Sequence, residues 1–476
     1  MAKRALAVVV VALFAVVSVA STSASAAGVA PAAKVLAGDR AVTVTWSAGS
    51  WSGHAVAGFT VQHRKVGTST WASKSVAASA RKLVVTSLVN GQNIEFRVIT
   101  KFAGTASTLA SAAVRTVPRT IWTSISAGEY NVCAINSFHE VWCWGYGLTG
   151  VNGAPGLPDS GVPHKVALPA AGATSVRTGY LVACALLVTK VVWCWGSNID
   201  GELGIGSADA LVHAPVAVPG LTNVTSLTVS EFHACASSPT GTKCWGSNSY
   251  GQIGAPGGDA LSPTAVGTTV DGAIVAASAG VNNTCGVTAL GSVWCWGKAS
   301  AGVLGNRDTA TDRSVPQAVV GLAGGASLPA VGYFNACSLT FGRLLCWGSP
   351  ASGSMGILGT SVITAAPVMA TETFPTLTSV VAGRVSSCAL DAAGKVWCFG
   401  ESSEGELGRG IVTDAASPAA PTLLPVPVTQ ITGRNATYCA LDRTGGAWCW
   451  GSNIFNEVSK SGNPAAAIPI QITRSV

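Results

Sequence analysis

The sequence predicts an all-β chain: an export signal, a β-sandwich, and then a seven-bladed β-propeller. Three observations carry this. A unit of about 51 residues with two cysteines recurs seven times between residues 119 and 476. Residues 28–118 alternate apolar and polar side chains in short runs. Glycine (56) and proline (22) are frequent in the 476 residues, as many short strands joined by turns require. With 48% hydrophobic and only 10% charged residues, the composition excludes disorder. The one long apolar run lies at the N-terminus, which excludes a polytopic membrane protein.

That run is the first element. Lys3 and Arg4 precede an apolar stretch, Ala5 to Ala20, interrupted by Ser18. Ala24 and Ala26 supply small residues where a signal peptidase reads. Residues 1–26 are therefore expected to be a signal peptide cleaved after Ala26. The run, about 16 residues long, is shorter than the roughly 20 a membrane span needs. The mature chain is expected to be secreted, monomeric and without a span. Ile470 to Val476 carries no apolar tail, which implies release or non-covalent surface attachment. The Ala-, Val-, Gly- and Thr-rich composition points to a bacterium with a GC-rich genome.

Charge and cysteine usage place a boundary near Val117 and Pro118. Residues 28–118 hold ten bases and two acids, net +8, and no cysteine. Residues 119–476 hold 16 bases and 19 acids, net −3, and all 14 cysteines.

The first module reads as alternating strands: Ala41 to Trp46, Phe59 to His63, Lys82 to Thr86 and Asn93 to Ile99, with turn residues between them. The runs ending in Trp46, starting at Phe59, and spanning Leu88 to Val98 resemble a fibronectin type III domain. Ile94 departs from that family, which usually has tyrosine there. The resemblance implies a β-sandwich over residues 28–118. Its bases (Lys34, Arg40, Arg64, Lys65, Lys74, Arg81, Lys82, Arg97, Lys101 and Arg115) make it a candidate spacer or tether to an acidic polymer or cell surface. Export argues against nucleic acid as its partner.

The remainder repeats. Each unit reads as an apolar strand, a glycine, a cysteine, a turn, Trp-Cys-Trp-Gly, a Gly-rich loop and a Pro-containing strand. The first cysteines, Cys133, Cys184, Cys235, Cys285, Cys337, Cys388 and Cys439, are spaced by 50 to 52 residues. Such a period, with several short strands per unit, is that of a propeller blade. Val192 to Gly204 and Val381 to Gly408 carry the spelling best, and resemble the regulator of chromosome condensation repeat family. The resemblance covers residues 121–474 and implies a seven-bladed propeller over 119–476. The family often has histidine two places before the Ala-Leu step. Only His233 fits that slot; Asn131, Asn283 and Asn335 occupy it elsewhere, which implies inter-strand hydrogen bonding. The Pro-containing strand at Ile468 to Ile472 is expected to close the ring beside the first unit.

Each unit pairs two cysteines 9 or 10 residues apart: Cys133 with Cys143, Cys184 with Cys194, Cys235 with Cys244, Cys285 with Cys295, Cys337 with Cys346, Cys388 with Cys398, and Cys439 with Cys449. Both separations place the pair directly opposed across a hairpin, with Pro239 and Thr240 as a two-residue turn or Ala392 to Gly394 as a three-residue loop. In an exported chain this predicts seven intra-blade disulfides. The tryptophans flanking the second cysteine share one strand face and are expected to fill the space between blades.

No catalytic set emerges. His139, His164, His213 and His233 stand at unrelated places in the repeat, and no metal-ligand cluster or cofactor motif is present. The acidic groups Asp200 with Glu202, and Glu401, Glu404 and Glu406, lie in Gly-rich loops and read as solvated carboxylates. What varies between copies is the segment before the Pro strand: Gly153 to Val162, Ser207 to Ala214, Asn306 to Val315, Gly353 to Ala366 and Arg409 to Ala420. On a rigid disc these candidate loops form a recognition rim. Nuclear members of the family exchange guanine nucleotide on a GTPase, which export does not fit. Secreted members include a protein inhibitor, which implies a protein-binding propeller without cofactor or metal. A carbohydrate-active enzyme, a polysaccharide binder of the cell wall, and a structural envelope component are the alternatives.

Overall fold

The computed structural model describes residues 28–269, 271–350, 353–356, 364–369, 374–414, 421–459 and 463–472. The expected signal peptide, residues 1–26, lies outside them. The chain divides between Arg119 and Thr120 into two compact units. Both are all-β: among the described residues a single 3-10 turn, Ser300–Gly302, is helical.

The N-terminal unit has two main antiparallel sheets. One joins Ala33–Gly38, Ala41–Trp46 and Lys82–Val85; the other has five strands, centred on Val56–Lys65 and Ile94–Phe102. Alternation along the strands sends Val42, Val44 and Trp46 from one sheet, and Phe59, Val61, Phe96 and Val98 from the other, into one core. Ile94 is buried in that core. A tyrosine there would have brought a hydroxyl in need of a partner; isoleucine needs none.

The C-terminal unit is a succession of seven antiparallel sheets. Six have four strands, and the sixth in order has three among the described residues. In the first, Trp122–Ala127, Asn131–Asn136, Val141–Gly145 and Ser160–Lys165 pair in sequence order. Each sheet is thus built from a contiguous stretch, which a repeat of about 51 residues permits.

Strand alternation gives each sheet two apolar faces. In the first, Cys133, Ile135, Val141 and Cys143 face the second sheet, where they meet Val176, Ala183, Ala185 and Trp195. The same arrangement recurs at every junction, including the last, where Cys439 and Cys449 of the seventh sheet meet Trp144 of the first. The disulfide of one sheet therefore packs against the second tryptophan of the next. The seven bridges link directly opposed residues with Cα atoms 4.0 to 4.1 Å apart.

The two tryptophans of each Trp-Cys-Trp run behave differently. The second (Trp144, Trp195, Trp245, Trp296, Trp347 and Trp450, with Phe399 in the sixth sheet) is fully buried. Its indole N–H reaches back to a backbone carbonyl of the preceding sheet's loop: Trp195 to Val151 at 3.0 Å, Trp245 to Glu202 at 2.8 Å, Trp144 to Glu457 at 2.8 Å. Each such ring removes roughly 150–250 Å² from water, a few kcal/mol at about 25 cal/mol per Å². The first tryptophan packs at the edge of the same clusters: Trp142 is buried in one, while Trp193, Trp294, Trp397 and Trp448 are partly exposed.

One expectation needs correction. The strand Ala465–Gln471 does not join the first sheet; it pairs with Ala447–Ser452 as the outer strand of the seventh. Seven units with seven Pro-containing strands leave none over. The first and last sheets meet face to face instead, and Ile470 and Ile472 join the cluster that seals them. The histidine slot makes the expected inter-strand bonds, and some of these run to the next sheet. His233 Nε2 lies 2.7 Å from Thr284 Oγ1, Asn131 Nδ2 donates to Tyr180 O at 2.9 Å, and Ser386 Oγ lies 2.7 Å from the Tyr438 hydroxyl.

Candidate functional site

The strand register puts two sets of connections on one face. In the first sheet Asn131 stands opposite Gly145, which stands opposite Ser160. The link between the first and second strands and the link between the third and outer strands therefore emerge together. Gly145 makes this possible. Its φ is +105°, and a Cβ there would lie 2.4 Å from Tyr130 O, so a side chain would block the turn that lets Tyr146 N–H donate to that same carbonyl.

The inner links form a ring around the axis of the unit. Directly after the innermost strand and its glycine or serine come Glu129, Tyr180, Glu231, Val281, Tyr333 and Arg384, and in the seventh sheet Asn435 follows a strand that ends at Arg434. Glu129 and Glu231 are buried, and the Glu231 carboxyl lies near enough to act on Glu129. Burial first, and then the Glu231 charge, push Glu129 up to about 7, while Arg434 pulls the other way. Asn435 Nδ2 donates to Glu129 Oε1 at 3.0 Å. Burial and these carboxylates raise the phenols of Tyr130, Tyr180 and Tyr333. Arg434 donates to Ala279 O at 3.3 Å.

Outside the ring lies an aromatic and apolar sector. Tyr130 meets Tyr180 edge-on with centroids 5.4 Å apart and Phe455 at 4.9 Å, and Phe455 meets Tyr146 at 4.7 Å. Beside them Leu148 (70% exposed), Ile199 (62%) and Ile454 (53%) project to solvent from equivalent places in the first, second and seventh sheets. Lys298, Arg384, Glu401 and Glu404 belong to the fourth and sixth sheets instead, so the face is apolar over one sector and charged elsewhere.

The five candidate loops open from this same face, but parts of them are structural. Asp159 Oδ1 accepts from Gly147 N, Asp312 Oδ1 from Ala299 N and Asp414 Oδ1 from Ser402 N, at 2.8 to 3.0 Å. Each carboxylate thereby ties its loop to the turn after the third strand. In Asn306 to Val315, Asp308 accepts from Ala310 N and pairs with Arg313 at 2.9 Å; those hydrogen bonds hold it below the usual carboxylate range. Ile411 and Val412 are exposed in Arg409 to Ala420. Residues 357–363 and 415–420 of these loops, and the side chains of 210–213, lie outside the described residues.

The acidic groups singled out in the sequence do not act as solvated carboxylates throughout. Glu202 and Glu406 are buried and brace their own turns, accepting from Asp200 N and Glu404 N at 2.8 Å. Burial pushes both up to about 7. The carboxyl pair at the channel mouth, Glu129 with Glu231, was not picked out from the sequence. Its signal was the hypervariable residue after the glycine, inside an otherwise repeated strand pair. In the N-terminal unit, the guanidiniums of Arg64 and Arg97 each lie 4.3 Å from the Trp71 ring centre, and Arg64 also pairs with Glu95.

Comparison with known proteins gives the class. Residues 191–237 match the regulator of chromosome condensation (RCC1) repeat. The chain is 29% identical over 319 residues to the ultraviolet-B receptor UVR8 of Arabidopsis thaliana, covering 65% of this chain and 70% of that protein. It is 27% identical over 229 residues to the mitochondrial RCC1 domain-containing protein RUG3 of the same plant, covering 43% and 51%. Human WBSCR16 superposes with a TM-score of 0.60 at 21% identity, over 70% of this chain and 94% of that one. Prp20p of Saccharomyces cerevisiae does so with 0.59 at 19%, over 67% and 81%. The C-terminal unit is thus a β-propeller-like fold with RCC1-type repeats and RCC1-like homologues.

Proposed function

We propose that this chain is a secreted protein-binding propeller of seven blades closed into a ring, and that its N-terminal module is a fibronectin type III-like spacer or surface tether. One observation carries the binding assignment. Tyr130, Tyr146, Tyr180 and Phe455 cluster beside exposed Leu148, Ile199 and Ile454 on a single sector of one face. Large aromatics flanked by exposed aliphatics are what the core of a protein interface is made of. The scaffold beneath them is rigid, because every sheet carries a disulfide. Seven intrachain disulfides fit an extracellular or other oxidising location. Among the described residues no helix is long and apolar enough to cross a membrane. Prp20p is described with binding to Gsp1p and histones, and UVR8 is a receptor; protein recognition is the class of activity carried over, not those partners.

The hydrolase alternative is less well supported. Glu129 and Glu231 lie near enough for the Glu231 charge to raise Glu129, whereas glycoside hydrolysis holds its two carboxyls roughly 5–9 Å apart around the scissile bond. The test is capture by the full-length chain from culture fluid and cell envelope, beside a variant carrying Leu148→Glu and Ile199→Glu. One protein recovered at near one-to-one stoichiometry by the wild type and lost in the variant supports the assignment. Equal recovery by both places the interface elsewhere.

A further inference from the structure

The innermost strands of all seven sheets enclose a channel cavity of about 290 Å³. At one register of these strands stand Ser126, Thr228, Ser278, Ala330, Val381 and Thr432, all small or β-branched. In three of those sheets the hydroxyl links neighbours: Ser126 Oγ accepts from Thr178 N, Thr228 Oγ1 from Ala279 N, and Thr432 Oγ1 from Ala127 N, at 3.1 to 3.2 Å. The second sheet breaks the pattern. It places Arg177 there, and the side chain lines the cavity.

This guanidinium is poorly compensated. Nη1 donates to Val176 O at 3.0 Å, and among the described residues no other protein acceptor or carboxylate engages the group. At the mouth, the Arg434 charge acts on Glu129 instead. Arginine does not give up its proton in a protein, so the charge stays, although burial disfavours it. Arg177 is partly buried, so its free donors face the cavity rather than protein acceptors. Its remaining planar donors suit the two-point binding of an oxyanion, and Ser126, Thr228 and Ser278 add hydroxyls to the wall.

We propose that the channel is a binding site for one small oxyanion, a phosphate, sulfate or carboxylate, held by Arg177. The site is separate from the aromatic sector and does not rest on the assignment of that sector.

The test uses the full-length chain and Arg177→Ser, which restores the residue type found in the first and fourth sheets and is therefore compatible with the fold. Inorganic phosphate, sulfate and acetate are titrated separately by calorimetry at constant ionic strength in chloride. Thermal melts are run in parallel. The expected result is one site per chain in the wild type, weakened at least tenfold in Arg177→Ser, with an anion-dependent rise in Tm lost in the variant. Preference for phosphate and sulfate over acetate identifies a tetrahedral oxyanion; the reverse identifies a carboxylate. Binding to the basic N-terminal module is common to both proteins and subtracts out. Equal heats and equal Tm shifts in the two proteins overturn the proposal, as does the absence of any difference from chloride in the wild type.

Discussion

His233 offers a sharp test of how the sheets are joined. It is completely buried, with Nε2 2.7 Å from Thr284 Oγ1 and Nδ1 2.8 Å from Ser230 Oγ. The Thr284 hydroxyl donates to Gln252 O, so it accepts from Nε2–H, and the neutral ring is the Nε2–H tautomer. Burial, and then the Arg434 charge, push the imidazole down from 6.5 to about 3. Below pH 6.5 the unfolded chain takes up a proton that the folded chain refuses. The stability due to this residue is thus complete above about pH 6.5 and is lost as pH falls towards 3. The slope is about 1.4 kcal/mol per pH unit, roughly 5 kcal/mol over the whole window. Glu129, Glu202 and Glu406 have the opposite sign: raised to about 7, they favour the folded state as pH falls from 7 towards 4.5. They are common to wild type and His233→Asn, so the difference between the two isolates the histidine. Asparagine already fills this slot at Asn131, Asn283 and Asn335. At pH 7 the variant should lie about 1–3 kcal/mol below wild type, the cost of a disturbed buried hydrogen bond. By pH 4 the gap should have closed or reversed. Denaturant unfolding with disulfides intact, followed by tryptophan fluorescence at pH 7, 6, 5 and 4, measures it. A gap that stays constant across this range would refute the reasoning.

Three further outcomes follow. Trp195→Phe leaves Val151 O without its donor while keeping the ring, as Phe399 does in the sixth sheet; thermal unfolding should show a loss of about 1–3 kcal/mol. In denaturant without reductant the chain should expose no titratable thiol. Reduction should then cost each ten-residue loop at most about 2–3 kcal/mol, and less where the hairpin already holds the strands together. Truncation after residue 462 removes the strand Ala465–Gln471, bares the edge of Ala447–Ser452 and takes Ile470 and Ile472 from the seal between the last and first sheets. A large fall in Tm is expected, and an unchanged one would mean that closure does not depend on this strand.

Much of the molecule is written in local pattern. The alternation in Ala41 to Trp46, the near-constant spacing of Cys133 to Cys439 and the turns at Pro239–Thr240 are short-range signals, and neighbouring residues suffice to specify strands, hairpins and opposed cysteines. The order of the sheets follows as well, because each is closed within one repeat. The role of a side chain at a junction is a different matter. That the second tryptophan bonds the preceding sheet while the first does not, and that His233 reaches Thr284, depend on residues about 50 positions away along the chain. The face itself was decided at still longer range. Phe455 joins Tyr130 and Tyr180 only because the seventh sheet packs on the first. Glu129 and Glu231 meet only where the inner links converge on the axis, and Arg177 enters a cavity that no single repeat contains. Pairwise periodicity determined the repeating framework; closure of the ring, a property of all the sheets at once, determined the site.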